Sequence, residues 1–184
     1  MALLNFTADG RLTSNARSLS SVSEAEGDAS VKLLAGDATC EIVPRASSGW
    51  AFDLRKDDGS SGGGFRPFRL RRGGRLRVGT AAVSLHGRPS SHVGWSFSTP
   101  DGRRIDATVA TDATAVGDEP DLFVELQTQE PLDAVLELAD VLALGCWLIV
   151  RWHSAPSTDH LLSAAAPSLG ISSGSWQAAV AGIS

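Results

Sequence analysis

A mainly β fold is the architecture this 184-residue sequence predicts: an antiparallel closed barrel or sandwich with a C-terminal hydrophobic helix buried in it. Three observations carry that expectation. Between Val31 and Thr128 short segments alternate apolar and polar side chains. After Pro131 the period changes, and Val141 to Val150 is a run of ten apolar residues. Nineteen glycines, eight prolines and many Val, Ser and Thr favour short strands and turns over a helix bundle.

Taken in order, residues 1–30 read as an N-terminal arm or linker, because 8–30 are poor in large apolar side chains and rich in Ser, Ala and acidic residues. The barrel unit spans 31–154. Its strand segments are 31–35, 38–43, 49–55, 65–72, 74–79, 81–86, 91–98, 103–110 and 121–127. Gly36-Asp37, Asp57-Asp58-Gly59, Gly73-Gly74 and Pro100-Asp101-Gly102 are among the turn signals between them. Phe68 and Leu70 are expected on one face with Arg69 and Arg71 on the other, and Val93, Trp95 and Phe97 to oppose Ser96 and Ser98. Gly59–Gly64 lacks the Gly-Lys-Ser/Thr ending of a phosphate loop and reads as a hairpin tip.

The helix runs over 132–152, opened by Pro131 and by acidic residues in its first turn. Asp133, Glu137 and Asp140 mark a solvated start at the barrel mouth, whereas the stretch after them has no polar face and must be surrounded on every side. A membrane span needs about 20 mostly apolar residues. Asp140 and Arg151 bracket only ten, so protein is the better surrounding, with Leu144, Trp147 and Leu148 most enclosed. A sheet of nine or more strands closes or splits, and closure removes its exposed edges.

Strand count, element order and the segment Val141–Arg151 together resemble the tubby C-terminal-like superfamily, which includes the phospholipid scramblases and the plant LURP-one-related proteins. The resemblance covers about residues 31–153 and involves no diagnostic motif. It implies a twelve-stranded barrel filled by a hydrophobic helix, and association with lipid headgroups or a membrane surface.

For function, the composition excludes more than it selects. A content of 42% hydrophobic residues with mean hydropathy near zero excludes a disordered chain and a polytopic membrane protein. The net charge of −5 disfavours a dedicated nucleic-acid binder. The cysteines Cys40 and Cys146 are too few for a disulfide scaffold, and Cys146 reads as a buried thiol. His86, His92, His153 and His160 lack metal-ligand spacing, and no serine sits in Gly-x-Ser-x-Gly. No catalytic residue, metal or cofactor is therefore expected. The opening Met1-Ala-Leu-Leu-Asn-Phe-Thr turns polar at once, which makes the cytoplasm the default address.

Charge is nevertheless segregated. Residues 45–104 hold twelve basic and four acidic side chains, whereas 105–140 hold ten acidic and none basic. Arg66, Arg69, Arg71, Arg72, Arg75 and Arg77 crowd into two neighbouring strand segments, as an anion-binding face would require. The competing reading pairs them with acidic groups on adjacent strands. Residues 155–184 form the tail, and its last 24 residues carry no charge. Within it Pro167–Ser172 resembles the Leu-Gly-Ile peptides that dock cargo in encapsulin shells, and Leu169 and Ile171, with Trp176 as the natural interface anchor of this uncharged tail, are candidate partner-binding residues. Alternatively the tail packs back on its own barrel. The functional expectation is a non-enzymatic module facing acidic phospholipid or a phosphorylated ligand; the alternative is a structural subunit of a homo-oligomer or larger assembly.

Overall fold

The computed structural model describes residues 2–24, 31–35, 38–45, 50–70, 72–89, 91–112 and 121–154. These form twelve strands followed by two helices. The strands are β1 (Ala2–Phe6), β2 (Arg11–Ser14), β3 (Arg17–Glu24), β4 (Val31–Ala35), β5 (Ala38–Pro44) and β6 (Phe52–Lys56), then β7 (Ser61–Pro67), β8 (Gly73–Val78), β9 (Ala81–Gly87), β10 (Gly94–Ser98), β11 (Arg104–Asp112) and β12 (Asp121–Thr128). The helices are α1 (Leu132–Leu136) and α2 (Ala139–Ser154). Each strand pairs antiparallel with its sequence neighbours, and β1 also pairs with β12, so the sheet closes. Closure leaves no edge for another chain to extend.

Helix α2 occupies the lumen. It packs against β3 and β9, which stand six places apart around the ring, and against β2 and β8, another opposed pair. Every residue from Val141 to Ile149 is buried, with Leu144, Trp147 and Leu148 among them, as the ten-residue apolar run requires. Each fully buried side chain of that size contributes about 1.5–3 kcal/mol. Among the described residues no helix is long and apolar enough to cross a membrane. Gly145 marks the tightest approach: a Cβ there would stand 2.3 Å from Cε1 of Phe97 on β10 and 3.2 Å from Leu76 on β8.

Four expectations are corrected. Residues 2–24 are not an arm; they build β1, β2 and β3, which complete the ring. The nine expected segments correspond to β4–β12, so all three missed strands lie here. β1 buries Leu4 and Phe6, but the inward positions of β2 and β3 include Ser14 and Ser20, where α2 packs against both strands. Second, Gly62, Gly63 and Gly64 belong to the wall of β7, and the hairpin tip is the turn Asp57–Ser60. A Cβ on Gly63 would meet the Arg77 carbonyl oxygen at 2.0 Å, and one on Gly64 the Phe52 oxygen at 2.4 Å. Third, Phe68–Leu70 and Val93 lie outside the strands; Leu70 is 99% exposed, while Phe68 stacks on His86. Fourth, the single helix over 132–152 is broken at Glu137–Leu138, where Leu138 N–H bonds the Val135 carbonyl at 2.9 Å and Leu138 then accepts from Leu142.

Candidate functional site

The arginine-rich segment becomes the β7–β8 pair and the loop between. Register places Arg66 opposite Arg75 and Gly64 opposite Arg77. Strand alternation buries Leu76 and Val78 and turns Arg75 and Arg77 outward. The outward row continues from Arg75 to Ser84 on β9 and Ser98 on β10, then to Arg104 on β11. The result is an open groove of about 510 Å³ lined by Arg66, Arg75, Arg77, Ser84, Thr99 and the two glycines.

The six arginines have separate fates. Arg66 is committed within the wall: Nη2 meets Asp53 Oδ1 at 2.5 Å, and Nη1 donates to the carbonyls of Phe52 and Phe65 at 2.8 and 2.9 Å. Asp53 also accepts from Arg45, at 2.7 and 3.1 Å. The hydrogen bonds from Arg45 and then Arg66 lower the Asp53 carboxyl to about 2. Arg75 and Arg77 are exposed and make no ion pair among the described residues. Arg69 is exposed on the β7–β8 loop, away from the groove lining. Arg72 turns the other way; its guanidinium carbon lies 4.5 Å from the centre of the Trp95 ring and Nη2 donates to the His92 carbonyl at 3.2 Å. Burial lowers its affinity for a proton. Arg71 lies outside the described residues, as do Leu169, Ile171 and Trp176.

The cross-strand pairing of charges is thus realised for Arg66 and not for its two neighbours on β8. Elsewhere on the wall, Arg88 and Arg104 both reach Asp106, at 2.5 and 3.0 Å. That leaves the β8 cations as the uncompensated part of the row.

The two ends of the lumen hold further ionisable groups. Where α2 begins, a cavity of about 280 Å³ is lined by Cys40, Lys56, Glu137 and Asp140. Burial raises the Asp140 carboxyl, against the pull of a hydrogen bond with Ser20. Burial also raises the Cys40 thiol, with Lys56 opposing it. Cys146, deep in α2, is pushed further up by complete burial and is an inert packing residue. Among the described residues no group of three or more His, Cys, Asp or Glu is placed to hold a metal ion. Where α2 ends, Trp152 stacks on Trp50 at 4.5 Å and meets Trp95 edge-on at 5.7 Å. The sequence pattern singled out neither this aromatic cluster nor its partner His153; the one local signal was the Trp-His pair closing the apolar run.

No family model, curated protein or solved structure matches the chain.

Proposed function

We propose that this protein is a non-enzymatic binding module whose outer-wall groove takes a phosphate-bearing anion, carried by an acidic phospholipid or by a soluble phosphorylated ligand. The observation that carries the reading is the pair Arg75 and Arg77: exposed, two residues apart on one face of β8, and without an ion-pair partner among the described residues. Arginine forks match phosphate oxygens in pairs, and two of them on one strand face stand roughly 7 Å apart. Arg66, fastened to Asp53 and to two carbonyls, supplies a fixed border whose charge is already paired. Ser84 adds a hydroxyl on the next strand, in register with Arg75. Twelve antiparallel strands closed around a buried helix also support the tubby-like resemblance, which points to the same class of ligand.

The test compares wild type with the double variant Arg75→Glu/Arg77→Glu. Co-sedimentation with vesicles containing an acidic phospholipid separates the lipid source from titration with inorganic phosphate, the soluble one. Binding by the wild type, weakening as salt rises through the range where the screening length falls to about 10 Å, and absent in the variant, is the expected result. Wild type that binds neither at low salt, or a variant that binds as well as wild type, overturns the reading.

A further inference from the structure

We propose that Trp95 and His153 form an acid-sensitive latch, which holds the last turn of α2 and the guanidinium of Arg72 against the barrel and opens when His153 takes up a proton. The geometry is specific about the proton. The Trp95 indole N–H donates to Nε2 of His153 at 3.1 Å. An indole nitrogen only donates, so Nε2 is the bare nitrogen and the neutral ring carries its hydrogen on Nδ1. A second proton can go only to Nε2, where it would face the indole N–H, donor against donor. Trp95 is fully buried, so its N–H has no water to turn to and would be left unpaired.

The surroundings add to the conflict. Arg72, from the β7–β8 loop, lies over the same indole, and His92 is the other titratable group acting on His153, from the β9–β10 loop. Trp50 and Trp152 complete the cluster without charge, and Arg151 on α2 itself lies over Trp147, at 5.9 Å. His153 therefore gains a charge beside Arg72, with no carboxylate among the groups acting on it. Burial first, then Arg72 and His92, lower its proton affinity from the ordinary 6.5, so the closed latch is the form present at neutral pH. The contribution is full above 6.5 and is lost as the pH falls below it.

Three chain segments meet at this point. Arg72 Nη2 holds the His92 carbonyl, the Arg72 carbonyl accepts from Gly87 N–H at 3.1 Å, and Trp152 stacks on Trp50 ahead of β6. Opening the latch frees the Arg72 guanidinium from Trp95 and unstacks the end of α2, while Val141–Ile149 stay packed in the lumen. The loop end of the barrel thus has an acid-triggered second arrangement.

Tryptophan emission and near-UV circular dichroism of the full chain, from pH 8 to pH 5, test this in wild type, His153→Gln and His92→Gln. Glutamine keeps an acceptor for the indole N–H but does not titrate. Wild type and His92→Gln are expected to show a reversible change with a midpoint below pH 6.5, while His153→Gln stays flat. A transition that persists in His153→Gln, or its absence in wild type, overturns the proposal. If His153→Gln fails to fold, NMR titration of wild type decides. The Trp95 indole N–H resonance must move with the His153 ring; an indole signal indifferent to that titration overturns the latch.

Discussion

Helix α2 meets opposite conditions at its two ends. At its start, Asp140 sits half-buried on a cavity also lined by Lys56, Cys40 and Glu137, and burial raises its carboxyl. At its finish, His153 sits among three tryptophans and a stacked arginine, and burial lowers its imidazole. Desolvation favours the neutral form in both cases, which for an acid means an upward shift and for a base a downward one. The consequences for stability run in opposite senses. Asp140 contributes most when protonated, below its ordinary 3.8, and that contribution is lost as the pH rises through its raised value. His153 contributes above 6.5 and loses its contribution on acidification. One end of the lumen is a polar opening and the other an aromatic seal, although one continuous helix makes both.

Four variants bear on that contrast, in decreasing order of effect. Leu144→Asp, midway between the ends and fully buried, places an unpaired carboxylate in the lumen. It is expected to cost ~4 kcal/mol or more, read as loss of the cooperative urea transition. A protein that tolerates it would mean that α2 does not fill the barrel. Gly145→Val drives atoms into Phe97 and Leu76, and is expected to cost about 1–3 kcal/mol despite the better helix propensity of the new residue. Thermal unfolding beside Gly145→Ala grades the clash.

Asp140→Asn sharpens the comparison most directly. Removing a charge that burial disfavours should raise the melting temperature at pH 7, and the gain should vanish near pH 3, where the wild-type carboxyl is protonated too. A variant less stable than wild type at pH 7 would show that Asp140 gains more from its neighbours than it loses to burial. The smallest stability effect is expected on the outer wall. Arg75→Glu/Arg77→Glu touches exposed side chains on β8 and should change unfolding free energy by no more than about 0.5 kcal/mol. That silence in stability is what allows the same variant to report on anion binding.

Most of strands β4–β12 were legible because they alternate apolar residues with polar ones, as Leu76 and Val78 do against Arg75 and Arg77, but the glycines that open β7 hid its first half. Strands β1–β3 were not. Their inward positions include Ser14 and Ser20, which look like loop residues until the helix packed against them explains their size. The basic groove was half legible: Arg75 and Arg77 point outward as alternation requires, but nothing local distinguishes them from Arg72, which turns in toward Trp95.

Periodicity and run length are properties of neighbouring residues, so the amino-acid order alone specified an antiparallel sheet, barrel or sandwich, around one apolar helix. Pairings across the ring obey no such local rule. Arg66 and Asp53 are 13 residues apart in sequence, Trp95 and His153 are 58, and β1, the first strand, pairs with β12, the last. Which arginines are neutralised, which histidine is half-buried against an indole and how the barrel closes all depend on register and burial. Those quantities exist only once the strands have paired, because both the partner and the local dielectric come from distant parts of the chain.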